Sequence, residues 1–227
     1  MNLENWLKLI DALTRLLTVI VWPVVVLFLL LRFSSAIQDF IANLSEFTLK
    51  GAGIDISASR QKAAAALTAA AVARSDGPVA PESAAADARQ AVEIVSQNAT
   101  PTAIRRATGA RVLWVDDNPG NNNHERASLE ALGVQFILAT STDAALDLLK
   151  QQKFDLIISD MSRPPDANAG YTLLESLRKS GDSTPYIIYA GSRSLDHKIE
   201  ARNRGAIGCT NRPNELFEMV LSVLGRT

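Results

Sequence analysis

The chain has 227 residues, a net charge of −1 and a single cysteine, Cys209. Its length allows one to two domains, and the near-neutral charge gives no reason to expect nucleic acid or another polyanion as a partner. One thiol excludes an internal disulfide, and no Cys/His cluster has zinc-ligand spacing; Cys209 reads as a small core residue. Composition varies along the chain: residues 16–31 are almost wholly apolar, 60–90 are Ala-rich, and 110–225 have the mixed pattern of an ordinary globular domain.

Residues 16–31 carry no charge and are bracketed by Arg15 and Arg32. As a helix they span about 24 Å, somewhat short of a roughly 30 Å hydrocarbon core. Leu13, Thr14 and Phe33 extend the run, and the flanking arginines can snorkel. Two rivals are a buried core helix and a cleaved signal peptide, since Ser34-Ser35-Ala36 loosely resembles a cleavage site. No other large apolar element is at hand to bury such a helix, and Glu4 and Asp11 stand where a signal peptide has its basic region. The expectation is an uncleaved single-span anchor. Lys8 and Arg15 before the span, and Arg32 and Lys50 after it, leave its orientation open. Phe33, Ile37, Phe40, Ile41, Leu44 and Phe47 then mark one face of an amphipathic helix. That face suits a membrane surface or pairing with a second copy, and the lack of a basic polar face favours self-pairing. Gly51-Ala52-Gly53 ends it, and Ile54 and Ile56 alternating with Asp55 and Ser57 suggest a short strand. Residues 1–57 are thus expected to form a membrane anchor with a juxtamembrane helix.

Residues 58–109 read as an Ala-rich helical stalk or linker. Alanine propensity predicts helices over Gln61–Ala73 and Ala84–Val95, separated by a Pro/Gly-containing break, with Ser83 as an N-cap. Alanine faces bury little area, so a semi-flexible spacer is expected, followed by a second linker over Asn98–Gly109.

Residues 110–227 alternate five apolar strand-like runs (Arg111–Val115, Val134–Leu138, Leu156–Ser159, Tyr186–Tyr189, Ala206–Cys209) with five helical runs (Asn123–Leu132, Thr142–Gln151, Tyr171–Lys179, Leu195–Asn203, Pro213–Leu224). Gly133 and Gly205 fit the position just past a helix end, Ser141 an N-cap, and Pro213 a first helical turn. Leu216, Phe217, Val220, Leu221 and Leu224 share one face of the last helix. Short right-handed connections then give an α/β, doubly wound (βα)5 sandwich, flavodoxin-like, of strand order 2-1-3-4-5.

Two of these strands stop on acid: the first runs into Asp116 and Asp117, the third into Ser159 and Asp160. Ligands of open parallel sheets bind beyond the carboxyl ends of the strands, so the three carboxylates are expected in one cleft. Carboxylates that close repel unless a cation sits among them, and a hard ion such as Mg2+ suits an all-oxygen site. His124 and His197 are expected at the surface, and Tyr189 as half-buried packing.

With Arg212-Pro213 after the fifth strand, these acids resemble the receiver domain of two-component response regulators, over about residues 110–225. The resemblance implies that Asp160 accepts a phosphoryl group from a histidine kinase or phosphotransfer protein. It implies too that Asp116, Asp117 and Asp160 hold Mg2+ together with the backbone carbonyl of Ser162. Two positions depart from the family: Ala190 stands where a Ser or Thr ends the fourth strand, with Ser192 two residues on as a substitute, and Arg212 stands for Lys as the phosphate contact. The loop from Asp160 to Gly170 is about two residues longer than usual, and Arg163 and Asp166 are expected to sit over the site.

The function expected is a signalling protein of the bacterial inner (cytoplasmic) membrane, not an enzyme, with its receiver in the cytoplasm. No helix-turn-helix follows the fifth helix, so output is expected through a partner or a homo-oligomer. The alternative is a pseudo-receiver that is never phosphorylated and acts as a protein-interaction module. An enzyme on the same sheet finds no glycine-rich phosphate loop, nucleophile elbow or metal-binding His pair.

Overall fold

A computed structural model describes residues 56–74, 81–190 and 195–225, all within one compact unit that runs from Ile56 to Thr227. The expected anchor over 16–31 and the juxtamembrane helix over 33–47 lie outside the described residues. Among the described residues no helix is long and apolar enough to cross a membrane.

The sheet carries five parallel strands: β1 (Arg111–Val115), β2 (Gln135–Ala139), β3 (Leu156–Ser159), β4 (Tyr186–Tyr189) and β5 (Gly208–Thr210), in the order β2-β1-β3-β4-β5. The helices in chain order are α1 (Ile56–Ala73), α2 (Pro81–Asn98), α3 (Pro101–Ala107), α4 (Asn123–Glu130), α5 (Thr142–Gln151), α6 (Ala169–Lys179), α7 (Leu195–Asn203) and α8 (Pro213–Leu224), with a 3-10 turn over Pro119–Asn122 before α4. Strand order and fold class agree with the sequence reading. β1, β3 and β4 are apolar on both faces, as a sheet covered on both sides requires. Leu113 and Val115 join a cluster with Ala145 of α5 and Leu173 and Leu177 of α6. Alternate residues turn to the opposite face, where Trp114 meets α4 with the Arg126 guanidinium 5.8 Å from its ring centroid.

Two strands begin later than expected, for one reason. Past α4 and α7 the chain turns through Gly133 (φ +90°) and Gly205 (φ +93°). The following N–H groups of Val134 and Ala206 bond back to Leu129 and Ala201 rather than into the sheet. That six-to-one closure of a helix end delays the strand. Ser141 caps α5 as expected, its Oγ accepting the Ala144 N–H at 3.1 Å.

The Ala-rich middle differs most from expectation. α1 starts at Ile56, so Ile56 and Ser57 are helical rather than extended. α2 opens on Pro81, leaving Ser83 inside its first turn rather than at its N-cap; proline is favoured there because its missing N–H has no helical partner anyway. Residues Pro101–Ala107 form α3, capped by Thr100, where a plain linker was expected. These helices pack together instead of spacing. α1 lies against α2 and α4, and α8 touches all three N-terminal helices as well as α4. Ala63, Leu67 and Ala70 on α1 and Ala91 and Val95 on α2 are buried. Small side chains bury little each but let backbones approach closely. The Arg60 Nε–H donates to the Ala99 carbonyl at 2.7 Å, tying α1 to the end of α2.

Leu67→Ala should therefore lower unfolding free energy by about 2–5 kcal/mol, read by urea unfolding of the full chain. A free spacer would leave the midpoint unchanged.

Candidate functional site

β1 and β3 are adjacent and in register, with Val115 opposite Ser159. The next residue on each strand, Asp116 and Asp160, leaves the sheet at the same level. The Asp160 N–H is still held by the Val115 carbonyl at 2.8 Å, and the Asp116 N–H by Ala139 at 2.9 Å. Asp117 follows. One carboxylate oxygen from each of the three lies within 4.8 Å of the others. Asp116 is buried, Asp160 half-buried and Asp117 exposed. The convergence expected of Asp116, Asp117 and Asp160 is observed.

Neutral donors orient two of the acids. Asp116 Oδ1 accepts the Asn118 N–H at 2.7 Å and its Oδ2 accepts the Asn122 amide at 2.6 Å. Asp160 Oδ1 accepts the Met161 N–H at 2.7 Å. Burial, opposed by that N–H bond and reinforced by the charges of Asp116 and Asp117, pushes the Asp160 carboxyl above its ordinary value. A raised carboxyl among like charges, in an all-oxygen donor set, fits a hard divalent cation.

Arg163 does not sit over the site, as the loop length suggested, but beneath it. Its side chain is buried. Nη1 donates to Ser159 Oγ and to the Asp160 carbonyl, both at 2.6 Å. Nη2 donates to Thr142 Oγ1 at 3.1 Å and the Ala169 carbonyl at 2.9 Å. One guanidinium thus joins the ends of β3, α5 and α6. Burial lowers its pKa, and the nearby acids oppose that shift. The extra loop length is folded down: Arg163 and Asp166 exchange backbone hydrogen bonds at 3.0 and 2.9 Å. Asp166 accepts the Thr172 hydroxyl at 2.6 Å and the Asn168 N–H at 2.7 Å, which hold its carboxyl below the usual range. Gly170 closes the loop: a Cβ there would lie 2.9 Å from the Asp160 carbonyl oxygen.

The remaining expectations divide. Ser162 is exposed and lines, with Asp160, a cavity beside the acids that also touches Tyr171, His197 and Cys209. Ala190 lines the acid cleft itself. Ser192 lies outside the described residues. Arg212 does not line the acid cleft: its Nη1 donates to Glu215 Oε1 at 3.2 Å, one turn along α8, and its side chain is 65% exposed. His124 and His197 are exposed, as expected. Tyr189 is fully packed rather than half-buried, and its hydroxyl donates to Glu125 Oε1 at 2.8 Å. Burial, with Glu125 alongside, raises that phenol far above its ordinary value, so it stays a donor.

Sequence reasoning missed a cation in the cleft. Arg74, just past α1, lines it with Asp116, Asp117 and Asp160. Its Nε donates to Glu125 Oε1 at 3.2 Å, Nη2 donates to Asn122 Oδ1, and the guanidinium lies 4.7 Å from the Tyr189 ring centroid. Asn122 links Arg74 to Asp116, while Glu125 joins Arg74 to the Tyr189 hydroxyl on a separate branch. The Asn121-Asn122-Asn123 run after the acids was the one sequence signal for it.

Residues 112–223 match the family model of the response regulator receiver domain. The virulence sensor protein BvgS of Bordetella pertussis is 31% identical over 135 residues, 54% of this chain and 11% of BvgS. The sensor histidine kinase RcsC of Escherichia coli is 27% identical over 114 residues, 50% of this chain and 12% of RcsC. The chain therefore spans only a small part of these relatives' length. Among solved structures, the receiver domain of the Francisella response regulator 1452 is 26% identical, with a TM-score of 0.47 over 52% of this chain and 98% of that one.

Two outcomes follow from the site's charges. Folded Asp160 holds its proton more tightly than it does unfolded, so its contribution to stability is present below the ordinary carboxylate range and is lost as pH rises through the raised value. Asp160→Asn should then unfold at higher temperature than wild type near neutral pH without divalent ions, with the gap closing at acid pH and on adding Mg2+. Arg163→Met removes the donor shared by five oxygens, the Val115 carbonyl among them, and urea unfolding should show a loss of about 3–5 kcal/mol.

Proposed function

Since residues 112–223 form a response-regulator receiver domain of two-component phosphorelay signalling, we propose that Asp160 is its phosphoacceptor and that the chain is a membrane-tethered signalling protein rather than a turnover enzyme. The observation that carries this reading is the gathering of Asp160 with Asp116 and Asp117 in one open cleft at the ends of β1 and β3. A carboxylate oxygen of Asp160 attacks phosphorus. The bond between phosphorus and the donor breaks, and its electron pair leaves with the donor group, the imidazole of a phosphohistidine or acetate from acetyl phosphate. The Met161 N–H holds Oδ1, leaving Oδ2 as the attacking atom. Asp116, Asp117 and Asp160 would hold Mg2+, with the Ser162 carbonyl as a further ligand; the ion supplies charge neutralisation for the transferring phosphoryl oxygens.

A histidine kinase or phosphotransfer protein is the natural donor, in keeping with the sensor-kinase relatives. Residues 16–31 would tether the chain to a bacterial cytoplasmic membrane, receiver on the cytoplasmic side, with output through a partner or a second copy. That topology follows from the proposed chemistry and lends it no support. Ala190 and the pairing of Arg212 with Glu215 favour a second reading, a pseudo-receiver that recognises a partner without being phosphorylated.

Incubation of the full chain with Mg2+ and acetyl phosphate separates the two. The expected result is one phosphoryl group by intact mass, mapped to Asp160, and absent in Asp160→Asn or with chelator. No labelling, alongside a standard receiver that is labelled, would leave the pseudo-receiver.

A further inference from the structure

We propose that Arg74, supplied by α1 from outside the matched receiver segment, is the cation that meets the phosphoryl group on Asp160, and that α1 thereby reads the modification. This rests on the phosphoacceptor reading of Asp160. The cleft at Asp160 is lined by three aspartates and, among the described residues lining it, by one cation, Arg74. Arg212, the position that the family resemblance assigns to this contact, is engaged with Glu215 and does not line the cleft.

The place of Arg74 in the cleft matches a second gap. Its guanidinium lies over the ring of Tyr189, and Ala190, the next residue, is where the family has a hydroxyl for the phosphoryl group. Arg74 therefore stands at the end of β4, beside the missing donor. A guanidinium carries five N–H groups in a planar fork that matches phosphate oxygens. Its present partners are the Glu125 carboxylate and the Asn122 amide oxygen. Asn122 in turn holds Asp116, so the Arg74 contacts join α1 to the acid cluster through one side chain. A phosphoryl group on Asp160 adds negative charge to this cleft and competes with Glu125 for Arg74. Because Arg74 follows directly on Ala73, a shift of its side chain changes how the end of α1 sits on α4. The modification is then sensed by an element that a bare receiver lacks.

The test uses the full chain with Mg2+ and beryllofluoride, an analogue of the phosphoryl group, and compares wild type with Arg74→Gln, Arg74→Lys and Arg212→Gln. Arg74→Gln should weaken beryllofluoride binding about tenfold or more, the scale of a lost charge-assisted hydrogen bond. It should tighten Mg2+ binding alone, because a cation has left a negative cleft. A merely structural loosening of α1 would weaken both, so opposite signs identify the charge contact. Arg74→Lys should recover part of the beryllofluoride affinity, and Arg212→Gln should behave as wild type. Hydrogen exchange over residues 56–73 should change with beryllofluoride in wild type and not in Arg74→Gln. Wild-type affinity in Arg74→Gln, or a loss confined to Arg212→Gln, overturns the assignment alone. No beryllofluoride binding by any form overturns it together with the phosphoacceptor reading.

Discussion

The site depends on the register between two parallel strands. Adjacent strands lie about 4.8 Å apart, and the pairing of Val115 with Ser159 puts Asp116 and Asp160 side by side as each leaves the sheet. A slip of one residue would send one acid to the other face. The register is held by apolar pressure on both sides, since Val112 to Val115 and Leu156 to Ile158 are all fully buried. Core packing thus sets the distance between like charges, and those charges have little freedom to separate. What remains is to compensate them: with N–H donors at Asn118, Asn122 and Met161, with a guanidinium behind Asp160, and with whatever enters from solvent.

The two arginines near the cleft do different work. Arg163 is enclosed and engages the Asp160 carbonyl, Ser159, Thr142 and Ala169. Its bonds go to groups whose positions the sheet and helices fix, so it acts as a permanent strut on the protein side of the acids. Arg74 lies on the cleft side, and its side chain is 33% exposed. Its partner Asn122 also holds Asp116, and its partner Glu125 also accepts the Tyr189 hydroxyl. A buried guanidinium with five oxygen partners on fixed elements has little reason to move, whereas an arginine at the rim can exchange one anionic partner for another.

This division explains what could be read from the sequence. The strands, their order and the convergent acids were legible because apolar runs that stop on Asp state both the sheet and its open end locally. Helix ends at Gly133, Gly205, Ser141 and Pro213 were legible for the same reason. Arg163 was not: followed by two prolines in a long loop, it has the look of an exposed residue, and only the packing of three separate elements around it creates the buried acceptors. Arg212 was assigned from its place before Pro213, but Glu215 lies three residues on, within reach on the same helix turn. The Ala-rich segment was read as a spacer because alanine stabilises so little by area. Its close fit against α4 and α8 is a property of the surface it meets, and no periodicity in α1 itself records it. Arg74 inherits that blindness, since its role exists only once α1 is docked.

A helix reports on a charge only if its contacts differ between the two states. The apolar contacts of α1 through Ala63, Leu67 and Ala70 do not involve the acid cleft, so they are common to both. Burying a leucine contributes about 2 kcal/mol, and a hydrogen bond to a charged group about 1.5–3 kcal/mol. Exchanging the Glu125 partner of Arg74 for phosphoryl oxygens changes only the difference between two terms of that second size. Such a difference is enough to reposition the C-terminal turn of α1 and too small to detach a helix held by its apolar face and by the Arg60 bond to Ala99. The architecture therefore favours adjustment of a docked helix over its release. It also places the adjustable end next to the strand terminus, β4, where the hydroxyl expected of the family is missing.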